Sequence, residues 1–162
     1  MIFLDTPDVG ERFFPEIAQL LIVLEGKRPW TWRRIQVSGF AKLAGIHRTI
    51  QALMGWDAGL PHRFILAGDI YDRVAPGEAL SPERERNWRL DSALYRDREF
   101  YYVVGTNPEW RHSIRLEGYV ESVSTWRYPR CIDGAGASPS GAEASFSVLG
   151  ANRRLWRRIP RR

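Results

Sequence analysis

Two hydrophobic periods divide the first half of this chain. Residues 17–26, IAQLLIVLEG, are almost continuously apolar and end at Glu25-Gly26, which predicts a buried strand. After a Lys-Arg-Pro turn, residues 31–37 alternate, with Trp32, Arg34 and Gln36 on one face and Arg33, Ile35 and Val37 on the other. This predicts a second strand, paired with the first as a hairpin. At Phe40 the period lengthens. Phe40, Leu43, Ile46, Ile50, Leu53 and Met54 recur at helical spacing, Ser38 is placed to cap the N-terminus, and Gly55 before Trp56 is a stop. A helix of about four turns is predicted. Gly45 inside it costs on the order of 1 kcal/mol relative to alanine, which tertiary packing must offset.

The second half reads as strands. Residues 62–72, HRFILAGDIYD, carry the pattern of a tight hairpin around Ala-Gly-Asp, and the Pro-containing, mixed-charge residues 73–87 read as an exposed loop. WRLDSAL predicts a short turn or helix and FYYVVG a strand. RHSIRLEGYVES predicts another strand, with Ile114, Leu116 and Val120 on one face. The order strand, strand, helix, then four strands indicates an α+β domain, a mostly antiparallel sheet packed on one main helix, β-grasp-like. Residues 17–134 form this single domain, after a lead of residues 1–16. Small residues from 135 onward lead into a basic tail, read as mobile.

At 162 residues with 44% hydrophobic and 27% charged residues, the chain has the balance of one soluble globular domain. The net charge of +5 does not belong to that domain. Residues 1–138 carry 18 Lys and Arg against 18 Asp and Glu, and the excess lies in six arginines beyond them. The folded part therefore exerts no global pull on phosphate. A weak, nonspecific nucleic-acid affinity is expected of Arg153, Arg154, Arg157 and Arg158 in the tail. No apolar run reaches the roughly 18 to 20 residues of a membrane span, and the start lacks the basic and apolar regions of a signal peptide, so a cytoplasmic protein without membrane contact is expected.

One cysteine, Cys131, supports neither an internal disulfide nor a cysteine-based zinc site. No phosphate loop, Gly-x-Ser-x-Gly elbow or cofactor motif is present, so no cofactor is expected. His47 sits on the apolar side of the helix, where a histidine at the edge of a core is commoner than a ligand. His62 and His112 lie on different strands that a sheet can bring together, with Trp110 and Asp57 close to them in sequence; His62, Trp110, His112 and Asp57 form the candidate site. Trp30, Arg33 and Arg34 supply a ring and guanidiniums suited to nucleic acid, although packing of an aromatic under arginine accounts for the same pattern.

PWTWRRIQVSG, LAGIHRTIQALMGWD, HRF, FYYVVG, WRHSIRLE and YPRCIDG, in this order over residues 18–134, resemble the Orf-three-like family named after plasmid pRiA4b. The resemblance implies a small α+β domain found on plasmids and mobile elements, with no established activity. A recombinase role is not implied, because no nucleophilic Ser or Tyr set among phosphate-activating arginines can be read. Relatives carry His-x-His-x-Phe, of which only His62 remains here, and Tyr-Asp-Phe-Gly-Asp-x-Trp-x-His, whose acids are replaced in the longer Tyr102–His112 stretch. The leading expectation is a noncatalytic interaction domain that binds a protein or nucleic-acid partner through a sheet edge or the loop between Tyr71 and Trp88. The runner-up is a metal-dependent enzyme built on His47, His62, His112 and nearby acids.

Overall fold

The computed structural model describes residues 17–66, 79–94, 98–137 and 139. Six strands form one antiparallel sheet in the order β3-β4-β5-β1-β2-β6. They are β1 (Ile17–Leu24), β2 (Thr31–Ser38), β3 (His62–Ile65), β4 (Glu99–Val104), β5 (Trp110–Val120) and β6 (Arg130–Ala135). Three helices, α1 (Leu43–Met54), α2 (Pro82–Glu85) and α3 (Leu90–Ala93), complete the α+β fold. No helix among the described residues is long and apolar enough to cross a membrane.

The hairpin and the alternation along β2 follow the sequence pattern. Leu20 faces Ile35 and Ile22 faces Arg33 across the β1–β2 ladder, so Thr31, Arg33, Ile35 and Val37 share the face that α1 covers. Leu43, Ile46, Ile50, Leu53 and Met54 of α1 are buried there with Leu20, Ile22, Leu24, Ile35, Phe64, Phe100, Tyr102, Ile114 and Leu116. Burial of apolar area at roughly 25 cal/mol per Å² makes this layer contact the main source of stability.

The helix begins later than its apolar period. Lys42 is the N-cap residue, without a side-chain cap bond, and Phe40 lies outside the helix, 42% exposed, with the Arg89 guanidinium 4.2 Å from its ring centre. Ser38 instead shapes the preceding turn: its hydroxyl accepts the Phe40 N–H and its carbonyl accepts the Ala41 N–H. Periodicity carried the prediction too far because an exposed aromatic can sit in phase with a helix that has not started. The Gly55 stop is present, with φ of 69° in the left-handed region where a side chain is strained.

Two further departures have local causes. The β1–β5 register shifts between Gln19 and Leu20, which face Gly118 and Leu116, so Glu117 is the extra residue of a bulge. The bulge moves Val120 off the Ile114–Leu116 face and brings Tyr119 opposite Ala18. Residues 82–85, expected in an exposed loop, form α2, with Pro82 in the first turn behind Ser81 and Glu85 buried. YPRCIDG supplies β6, which the sequence pattern did not predict, because Cys131 and Ile132 are its only apolar pair. The second arm of the hairpin expected at residues 62–72, the N-terminal lead and the basic tail lie outside the described residues.

Candidate functional site

The chemistry-bearing side chains of the α1–sheet interface gather around Tyr102, which β4 presents to the helix face. His47 reaches down from α1, and its Nδ1 shares a 2.8 Å hydrogen bond with the Tyr102 hydroxyl. His62 of β3 stacks on His47 with ring centroids 3.6 Å apart and planes 12° from parallel. The Nε2 of His62 lies 2.8 Å from Oε2 of Glu85, delivered by α2. Glu85 is only 3% exposed, and its other carboxylate oxygen has no hydrogen-bond partner.

On the opposite side of the Tyr102 ring, 5.5 Å between centroids, lies His112 from β5. The Trp56 indole N–H donates to its Nε2 at 3.1 Å, and its Nδ1 lies 3.2 Å from the Tyr102 carbonyl. An indole can only donate and a carbonyl can only accept, which fixes His112 as neutral with its proton on Nδ1. Trp110, half-buried, stacks on Trp56 at 5.9 Å.

Burial sets the electrostatics. Desolvation lowers His112 to about 4. Desolvation, then the neighbouring charges of His62 and Arg48, lower His47 to about 4 as well. Desolvation raises Tyr102 further above its ordinary value and raises Glu85 despite its bond to His62.

Of the candidate site, His62 and His112 are thus brought onto one ring, Tyr102, and Trp110 reaches it through Trp56. Asp57 is not part of it: the residue is exposed, and its Oδ1 accepts the Gly59 N–H in a turn. Among the candidate binding residues, Trp30 is half-buried with the Arg28 guanidinium 4.0 Å from its ring centre. Arg33 is 1% exposed; its guanidinium donates to the carbonyls of Leu53, Trp32, Ala135 and Gly136. Arg34 is clamped by both oxygens of Glu117 and by Asp133. A phosphate approaching Arg34 has to displace two carboxylates already seated on it.

Sequence reasoning passed over Tyr102, Trp56 and Glu85. Ser81-Pro82-Glu83, a helix-start signature, was the available signal for Glu85; no local pattern marks the other two.

An ion bound to an imidazole lies in the ring plane, about 2 Å from the nitrogen. Two nearly parallel planes 3.6 Å apart do not meet near either ring, so His47 and His62 as they stand cannot hold one ion together. No group of three or more His, Cys, Asp or Glu among the described residues is arranged for a metal. What the cluster offers is an imidazole oriented by a buried carboxylate, the wiring of a general base. Among the described residues no nucleophile lies on it: His62 bonds to Glu85 alone, and Cys131 is buried on β6 with its thiol pushed up by desolvation.

The fold has a solved counterpart in the protein of unknown function MM3350 from Methanosarcina mazei Go1, with a TM-score of 0.66 and 24% identity over 76% of this chain and 71% of that one. Comparison with curated proteins finds no match. The family model described as plasmid pRiA4b ORF-3-like protein matches residues 16–144, from the start of β1 past the end of β6. The chain belongs to the plasmid pRiA4b ORF-3-like family, a family of uncharacterised function linked to a plasmid reading frame.

Proposed function

We infer that this chain is a noncatalytic interaction domain whose β6 edge takes an extended segment of a partner protein by strand addition. The observation that carries this reading is that β6 pairs with β2 on one side and, among the described residues, with no strand on the other. An open edge presents unpaired backbone donors and acceptors in register for another chain. Exposed apolar surface adjoins it: Trp126 is 45% exposed and stacks against Arg130 of β6 at 3.8 Å, and Val123 is exposed in the same turn. The side chains that suggested chemistry or nucleic-acid contact are meanwhile engaged within the fold: Arg33 on backbone carbonyls, Arg34 on carboxylates, His112 between Trp56 and Tyr102.

The test is site-specific photo-crosslinking in the native host, with the crosslinking residue at Trp126 or Ile132 and, as a control, at Arg48 on the exposed side of α1. A discrete protein adduct from the first two positions and not from Arg48 is expected. Absence of adducts at Trp126 and Ile132, or the same adducts from Arg48, would sink the reading.

Affinity for nucleic acid, in this reading, resides in Arg153, Arg154, Arg157 and Arg158 and is nonspecific. Retardation of a random duplex should vanish on truncation after Ala144 and fall steeply with salt in the full chain. Retention of binding by the truncated protein would move the contact to the body.

A further inference from the structure

The second edge of the sheet, β3, is covered, and its cover is held in an unusual way. Leu80 donates its N–H to the Phe64 carbonyl at 2.9 Å, and Ala79 makes a bridge to Ile65, so residues 79–80 lie along the outer side of β3. The chain then turns through α2 and is sewn to the start of α1, where the Leu43 N–H donates to the Trp88 carbonyl and the Leu90 N–H to the Ala41 carbonyl. Between these two attachments, a side-chain bond reaches from α2 back to the sheet, from Glu85 to His62.

We propose that residues 79–88 are a strap that closes the β3 edge, pinned by the His62–Glu85 contact, and that the closed strap holds one more proton than the open one.

The geometry gives the pin two properties. First, it is a polar side-chain link between strap and strand, beside the Leu80 ladder bond to Phe64 and the packing of Leu80 in the core. Second, it is electrically incomplete. One Glu85 oxygen is bonded to His62, and the other is buried with no partner, so an ionised Glu85 in the closed strap keeps an unsatisfied charge. A proton on Glu85 relieves it. Burial raises Glu85 for this reason, and a group that is raised in the closed state favours closure at lower pH and loosens it as pH rises.

The surrounding groups set the lower limit. Arg48 on α1 and Tyr102 on β4 flank the His47–His62 stack, and His112 on β5 packs on the Tyr102 ring; Glu83 on α2 is exposed, Arg84 sits 5.5 Å from the Trp88 ring centre, and Arg63 on β3 pairs with Glu109. His47 resists protonation down to about 4 through burial, His62 and Arg48, so a second charge in the stack arises only near that pH. Closure is strongest between these limits. Opening exposes the Phe64 carbonyl, and with it β3 as a second strand edge, and withdraws Leu80 and Trp88 from the core while the β1–β5 ladder stays paired.

Amide hydrogen exchange on the full chain tests this, with rates corrected for intrinsic pH dependence. In the wild type, raising pH from 5 to 8.5 should speed exchange of the Leu80 and Trp88 amides, while Leu20, Ile22 and Ile114 stay protected. Glu85→Ala should speed Leu80 by a similar factor at pH 5 and remove its pH dependence. A Leu80 amide indifferent to Glu85→Ala overturns the pin. An unchanged wild-type profile overturns the proton. Equal acceleration at Leu80 and in β1 shows global unfolding, and overturns the strap as a separate unit. If Glu85→Ala does not fold, His62→Ala tests the same contact from the edge strand, and the wild-type pH series decides by itself.

Discussion

The imidazole of His47 lies flat on that of His62, 3.6 Å between centroids, with Tyr102 bonded to one ring and Glu85 to the other. Two residues 15 positions apart in the chain thus join the helix layer to the edge of the sheet, yet face each other through their π surfaces and not through their lone pairs.

This geometry predicts that zinc finds no tight site here. Ligand present at a thousandfold over its dissociation constant stabilises a fold by about 4 kcal/mol, a shift of many degrees in Tm for a domain of this size. Zinc at 100 μM should leave the Tm of the wild type and of His47→Gln alike. A rise of several degrees in the wild type that is absent in the variant would mean that the rings rearrange around an ion.

His112 predicts acid sensitivity. Its folded-state value is held near 4, against 6.5 ordinarily, so between these limits the unfolded chain takes a proton that the folded chain refuses. Stability should therefore fall as pH drops below about 6.5 and stop falling on this account near 4, by about 3 kcal/mol at 1.36 kcal/mol per unit. His47 acts in the same direction and Glu85 in the opposite one. Urea denaturation across pH 4 to 7 measures the slope; His112→Phe should flatten it.

The Trp56–His112 bond predicts an asymmetric pair of variants. His112→Phe leaves a buried indole N–H without an acceptor and should cost about 1–3 kcal/mol beyond any packing change. In the double variant with Trp56→Phe, the orphaned donor is gone, so the loss should be smaller than the sum of the single losses. Additive losses in a double-mutant cycle would show that the bond contributes nothing.

Arg33 predicts the largest single effect. Arg33→Met strips a guanidinium from the Leu53, Ala135 and Gly136 carbonyls, and each acceptor left buried and unpaired should cost about 1–3 kcal/mol. Amide exchange should show β6 loosening before β1. Gly136→Ala should resemble it more mildly: φ is 83°, and a Cβ would sit 2.5 Å from the Trp30 carbonyl oxygen, so well over 1 kcal/mol is expected. Unchanged denaturation of Gly136→Ala would mean that this turn is free to move.

The hairpin, α1 and the Gly55 stop were legible because each is specified by a local period or a single backbone requirement, as in Ile17–Leu24 and Leu43–Met54. Arg33 was legible as to face and not as to purpose: alternation put it beside Ile35 and Val37, but its acceptors on Leu53, Ala135 and Gly136 are 20 to 103 positions away. The site was half legible for the same reason. His62 and His112 stand out by residue type, whereas Tyr102, which joins them, looks like any aromatic in FYYVVG until the β3–β4 and β4–β5 registers align it with Phe64 and His112. Val120 failed because a bulge inverts every later position of a strand and leaves no mark in the pattern.

The fork of Arg33 also defines where this domain can be cut. Its acceptors on Ala135 and Gly136, with the Ala137 carbonyl that takes the Thr31 hydroxyl and the Lys27 ammonium, lie past Ile132, the last large apolar residue of β6. A shortened version ending at Gly134 would keep every core side chain and still take two carbonyl acceptors away from an internal cation. The smallest version able to stand alone must extend through Ala137, and any fused module has to be joined beyond that residue.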